Sequence, residues 1–144
     1  MRLVVDANIL IGELLRKRGI DLIASSRLEL YMAEKMRSEV EYEFKKRLDK
    51  IVDQGRITQD LASQQWDIAL RLLDAKVSLV PISFYRFLEQ PARKRIPRDP
   101  NDWESVALAL ALPAAIWTED YDFFGCGCAI WTTETLLLHL TETI

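Results

Sequence analysis

The apolar positions change period along the chain, and each change marks an element. Leu3-Val4-Val5 is a continuous apolar run that ends at Asp6-Ala7-Asn8, after which Ile9, Leu10, Leu14 and Leu15 recur at helical spacing. A strand covered on both faces reads as an unbroken apolar run, so this is a buried strand feeding a helix. Leu28-Glu29-Leu30-Tyr31-Met32 forms a second strand, interrupted by Glu29. From Glu34 to about Val52, Met36, Val40, Phe44, Leu48, Ile51 and Val52 recur every three or four residues among charged positions. That pattern predicts an amphipathic helix, with Gly55 as its stop. Thr58 is placed to cap a further helix through Leu61, Ala62, Trp66, Ala69, Leu70 and Leu73.

The second half continues the alternation. Val77-Ser78-Leu79-Val80 predicts a strand stopped by Pro81, residues 84–90 a short helix, and Pro91 to Pro97 a basic connecting stretch. Asp99-Pro100-Asn101-Asp102 has the capping residue and early proline of a helix start, with Trp103 to Leu112 as the body. Ala114 to Thr118 predicts a buried strand, Gly125 to Gly127 a turn, Ala129 to Thr132 a last strand and Thr135 to Leu140 a last helix. Strands alternating with helices imply an α/β fold, a three-layer sandwich with a mainly parallel central sheet, as one domain over residues 1–144.

Composition narrows the class. With 144 residues, 49% hydrophobic and 28% charged, and only five Gly and five Pro, the chain has the balance of a globular protein and excludes collagen-like and low-complexity readings. The longest apolar run, Val106 to Ile116, is interrupted by Pro113 and falls short of the ~20 residues of a membrane span. The N-terminus does not read as a secretory signal, and Cys126 and Cys128 make no disulfide framework, so a cytoplasmic protein is expected. These two thiols with His139 also fall short of a soft-metal site. Charge is distributed unevenly: all 19 Lys and Arg lie at or before Arg98, and residues 99–144 carry eight carboxylates.

Sites on open α/β sheets form beyond the carboxyl ends of the strands. Asp6 follows the first strand, Asp120 and Asp122 follow the strand ending at Thr118, and Asp102 opens the helix before it. With no Lys or Arg after residue 98, a divalent cation is the natural partner, and oxygen-only ligands favour Mg²⁺ or Mn²⁺. Such sites cleave or transfer phosphoryl groups. A haloacid-dehalogenase phosphatase needs a second aspartate where Asn8 stands, a receiver domain needs a late lysine, and no G-x-x-x-x-G-K-[ST] loop is present.

Val4-Val5-Asp6-Ala7-Asn8-Ile9-Leu10, Arg98-Asp99-Pro100-Asn101-Asp102-Trp103 and Trp117-Thr118-Glu119-Asp120-Tyr121-Asp122-Phe123 together resemble the motifs of PIN domains, in the family's order. The resemblance implies a Mg²⁺- or Mn²⁺-dependent ribonuclease, similar to VapC-type toxins, that leaves 3′-hydroxyl and 5′-phosphate ends. It places metal ligands at Asp6, Asp102 and Asp120 and a further one on the helix after the second strand, at Glu39 or, one turn on, Glu43. Asp122 would serve a second metal or its water, Asp99 would cap its helix, Asn8 would cap the first helix or bind a ligand, and Thr118 would hold a neighbouring carboxylate or water. Arg86, Arg93, Lys94, Arg95 and Arg98 make a basic flank for RNA phosphates, with Tyr85 or Phe87 placed to stack on an unpaired base. Trp66, Trp117 and Trp131 read as core. RNA, a cognate antitoxin and a second copy of the chain are the partners implied; the alternative is a non-catalytic PIN-like module that binds RNA or protein.

Overall fold

In a computed structural model that describes residues 1–142, five strands form one sheet in the order β3-β2-β1-β4-β5, and all four pairings are parallel. The strands are β1 (Arg2–Val5), β2 (Glu29–Ala33), β3 (Val77–Val80), β4 (Ala115–Trp117) and β5 (Ile130–Trp131). The helices are α1 (Ala7–Glu13), α2 (Lys17–Ala24), α3 (Arg37–Asp53), α4 (Gln59–Lys76), α5 (Ile82–Tyr85), α6 (Glu89–Arg95), α7 (Trp103–Ala111) and α8 (Thr133–Thr141).

Two cores sandwich the sheet. Leu3 and Val5 of β1, Leu30 and Met32 of β2 and Trp117 of β4 face Leu10, Ile23, Val40, Phe44, Leu73 and Leu136, which come from α1 to α4 and α8. Val4, Ala33 and Ile116 point the other way, into Tyr85, Ala92, Trp103, Val106 and Leu108 of α5, α6 and α7. Period-two alternation thus puts apolar side chains on both faces, which is why β4 and the Leu3–Val5 part of β1 carry no polar residue. Each large side chain fully buried in this way stabilises the fold by about 1.5–3 kcal/mol.

Local signals placed most boundaries. The Thr58 hydroxyl accepts the Leu61 N–H at 3.2 Å and starts α4, and Gly55, at φ +71°, follows the end of α3. Four features differ from expectation. Helix α2 is not legible in the periodicity of the sequence. Pro91 to Pro97 is not simply a connection: α6 runs through it to Arg95, because Pro91 falls in the first helical turn, where a backbone N–H has no intrahelical acceptor to lose. The predicted 84–90 helix is correspondingly split into α5, a 3₁₀ turn at Arg86–Leu88 and the start of α6. The last helix begins earlier than expected, at Thr133, with Thr132 and Thr135 capping each other.

The strand order decides where a site can form. From β1 the chain steps outward to β2 and β3, then returns across the sheet to place β4 on the other side of β1. The carboxyl ends of β1 and β4 therefore flank the point where the order reverses, and a crevice opens there.

Candidate functional site

Asp6 stands at the mouth of that crevice. Its backbone N–H donates to the Trp117 carbonyl at 3.0 Å, which locks the end of β1 to the end of β4. Its side chain caps α1: Oδ1 accepts the Asn8 N–H at 3.4 Å, so Asp6 and not Asn8 supplies the cap. The other oxygen, Oδ2, accepts the Thr118 hydroxyl at 2.8 Å. Thr118 is fully buried, and its own oxygen accepts the Asp120 N–H at 3.0 Å, while Asp120 Oδ1 accepts the Asp122 N–H at 2.9 Å. One chain of hydrogen bonds thus runs Asp6–Thr118–Asp120–Asp122 and ties the two strand ends to the turn that follows. Asp6, Asn8, Ile9, Glu119 and Asp120 line a cavity of about 260 Å³ at this place. Glu119, which was not singled out from the sequence, accepts the Thr133 N–H at 2.7 Å and holds the start of α8 against this wall.

Asp102 enters from the opposite face of the sheet. It closes the 3₁₀ turn Pro100–Asp102 and precedes α7, while Asp99 caps that turn by accepting the Asn101 N–H at 3.3 Å. Asp102 has its carboxyl pushed up to about 6, by burial first, then by the charge and hydrogen bond of Asp99, then by the charges of Asp6 and Asp120. The Asp6 carboxyl is also raised, by burial first; the bonds from Thr118 and Asn8 oppose this, and the charges of Asp120 and Glu39 add to it. Glu39 sits exposed in the first turn of α3. Four separate parts of the chain thus meet electrostatically here: Asp6 feels the charges of Asp120 and Glu39, and Asp102 those of Asp6 and Asp120.

Among the described residues none of these four carboxylates has a Lys or Arg ion-pair partner. Clustered, partly buried carboxylates without a counter-charge are costly, and a cation relieves them. The donor chemistry, all oxygen, fits a hard divalent cation. The geometry is open: among the described residues no three His, Cys, Asp or Glu side chains converge as a finished metal cage. Asp122 differs from the four, because Arg98 Nη1 stands 4.0 Å from its Oδ1, so it has a basic partner after all.

The basic flank divides. Arg93 pairs with Glu89 at 3.0 Å, donates to the Pro100 carbonyl and lies over the Trp103 ring, and Arg95 donates to the Cys126 carbonyl at 2.9 Å. Both serve the fold. Lys94 and Arg98 are exposed. Tyr85 is not a stacking surface, since it is buried and donates to Glu104 Oε2 at 2.8 Å, but Phe87 is 74% exposed. Glu104 is itself buried and also meets Lys35; as the lone charge within the apolar Trp103–Leu112 run, it could have been singled out from the sequence. Trp117 is buried, Trp66 and Trp131 partly so, and His139 is an exposed residue of α8 beside Trp131. Cys126 and Cys128 are free thiols.

The PIN domain family model matches residues 4–141, which takes in every element described above except the first two residues of β1. The chain belongs to the PIN domain family. Its members are generally nucleases that act on nucleic acid and typically use divalent metals. No curated protein matches the chain. No helix among the described residues is long and apolar enough to cross a membrane.

Proposed function

We propose that this protein is a divalent-metal-dependent ribonuclease that hydrolyses RNA phosphodiester bonds, with Asp6, Glu39, Asp102 and Asp120 as the ligands of Mg²⁺ or Mn²⁺. The observation that carries the reading is the unneutralised set of carboxylates at the reversal of strand order, with Asp6 and Asp102 both raised by burial and by the charges of neighbouring carboxylates. A divalent cation in this set would offset the charge that builds on the phosphate oxygens and acidify a nearby water.

The protein's own groups do the rest. Thr118 fixes the orientation of Asp6 through Oδ2, and Asp120, held by its bond from the Asp122 N–H, keeps Oδ2 free to face the crevice. An unengaged carboxylate oxygen orients the attacking water and takes its proton. Water adds to phosphorus in line, the bond from phosphorus to O3′ breaks, and O3′ leaves with a proton, giving 3′-hydroxyl and 5′-phosphate ends. Exposed Lys94 and Arg98 hold flanking phosphates without reading sequence. If the enzyme is the toxin of a toxin–antitoxin pair, its antitoxin covers this acidic rim, so the assay uses protein refolded free of partners.

The test is the chemistry of the product ends. Incubating single-stranded RNA with the protein in Mn²⁺ is expected to give 5′-phosphates, with cleavage stopped by EDTA. Cleavage insensitive to EDTA, or 2′,3′-cyclic phosphate ends, overturns the proposal. The open arrangement of the carboxylates favours a second reading, a PIN-like module that binds RNA or protein without cutting. RNA binding with no cleavage in Mg²⁺ or Mn²⁺ selects it.

A further inference from the structure

The turn that leaves the crevice carries two large aromatic side chains into solvent. Tyr121 is 72% exposed and Phe124 is 47% exposed, and their rings meet edge to face, 5.1 Å apart at 87°. They are adjacent to the carboxylate cluster, because Asp120 caps the very 3₁₀ turn, Tyr121–Phe123, on which Tyr121 sits.

This turn is built to hold its position. The Phe124 N–H donates to the Tyr121 carbonyl at 3.0 Å, and Phe123 between them is buried in the core under α7. The Cys126 N–H donates to the Phe123 carbonyl at 3.2 Å, and Arg95 reaches across from α6 to the Cys126 carbonyl. Gly127, at φ +93°, gives Arg95 room, since a Cβ there would collide with its guanidinium. Two exposed aromatics on a fixed turn forgo burial, and a patch of that kind marks a binding surface.

Charge selects the occupant. Arg98 is exposed and stands 4.0 Å from Asp122, between the two aromatics in sequence, and Lys94 is exposed with no ion pair among the described residues. A cation at the turn that carries exposed rings, here Arg98, suits a strand that carries phosphates and unpaired bases. A base inside a duplex hides its face and cannot stack this way.

We propose that Tyr121 and Phe124 form a platform on which an unpaired base of RNA stacks, next to the acidic crevice, and that this platform makes the protein select single-stranded over duplex RNA. The inference rests on the ribonuclease reading, and its test separates the two.

The test measures binding of a short single-stranded RNA carrying 2-aminopurine at successive positions, and of its duplex, in an Asp6→Asn background. Fluorescence quenching at one position is expected. Tyr121→Ala and Phe124→Ala should each weaken single-strand binding by roughly 5- to 100-fold and remove the quenching. Tyr121→Trp should retain both, Tyr121→Leu should behave like the alanine variant, and weak duplex binding should not change. Urea midpoints of all variants are expected to match their background, as the side chains are exposed. Single-strand affinity unchanged by both alanine variants overturns the inference, as does an equal loss for duplex RNA. If the protein with Asp6 intact cuts RNA while the alanine variants bind normally, the platform falls and the nuclease stands. Platform-dependent binding without cleavage by that protein in Mn²⁺ upholds the platform and overturns hydrolysis.

Discussion

Replacing Thr118 with Val removes the hub of the hydrogen-bond chain while keeping the side-chain shape, so any effect comes from the hydroxyl. The hydroxyl donates to Asp6 Oδ2 at 2.8 Å and accepts from the Asp120 N–H at 3.0 Å, in a fully buried position. A bond to a charged group contributes about 1.5–3 kcal/mol, and orphaning the partly buried Asp120 N–H costs about 1 kcal/mol more, so the loss at pH 7 is about 2.5–4 kcal/mol. Urea unfolding followed by circular dichroism should show a midpoint lower by about 1–4 M at an unchanged slope, given slopes of about 1–3 kcal/mol per M. The gap should narrow as pH falls and Asp6 takes up its proton, because the donated bond then meets a neutral acceptor. A midpoint within about 0.3 M of wild type at pH 7 would mean that the hydroxyl does not hold Asp6 and the Asp120 N–H together.

Two further outcomes follow from the same geometry. Burial and neighbouring carboxylates raise Asp102 to about 6, so the folded state holds its proton more tightly than the unfolded chain. The stability it contributes without metal is present below its ordinary value of 3.8 and is lost as pH rises through about 6. Thermal melts in EDTA should therefore decline between pH 4 and 7, and Asp102→Asn should flatten the decline; a rise over that range contradicts the assignment. Tyr85→Phe leaves buried Glu104 without its 2.8 Å donor and should lower stability by about 1.5–3 kcal/mol in urea titrations. An unchanged midpoint would mean that Lys35 alone satisfies Glu104.

Strands and strand ends were the legible part of this protein. β1 and β4 announce themselves as unbroken apolar runs because helices cover both faces, and Asp6, Thr118 and Asp120 follow directly from where those runs stop. Helix α2 stayed hidden because Arg16-Lys17-Arg18 and Gly19 break its apolar period; that glycine packs against Glu13, an approach no pattern along one segment encodes. Pro91 suggested a connection, yet a proline in a first turn is compatible with helix. Tyr85 and Tyr121 look alike in sequence, and only the distant Glu104 decides that one goes inside. The pairing of Arg98 with Asp122 likewise depends on how α7 folds back beside β4, which local spacing does not specify.

Whether the carboxylate set performs metal-dependent hydrolysis is decided by comparing RNA cleavage by wild type, Asp6→Asn and Asp120→Asn in Mn²⁺. All three must first be shown folded by circular dichroism. Wild type should cleave, and each variant should lose roughly 100-fold or more, the scale expected when a group stabilising transition-state charge is removed. Cleavage at wild-type rate by either folded variant would contradict hydrolysis by this carboxylate set.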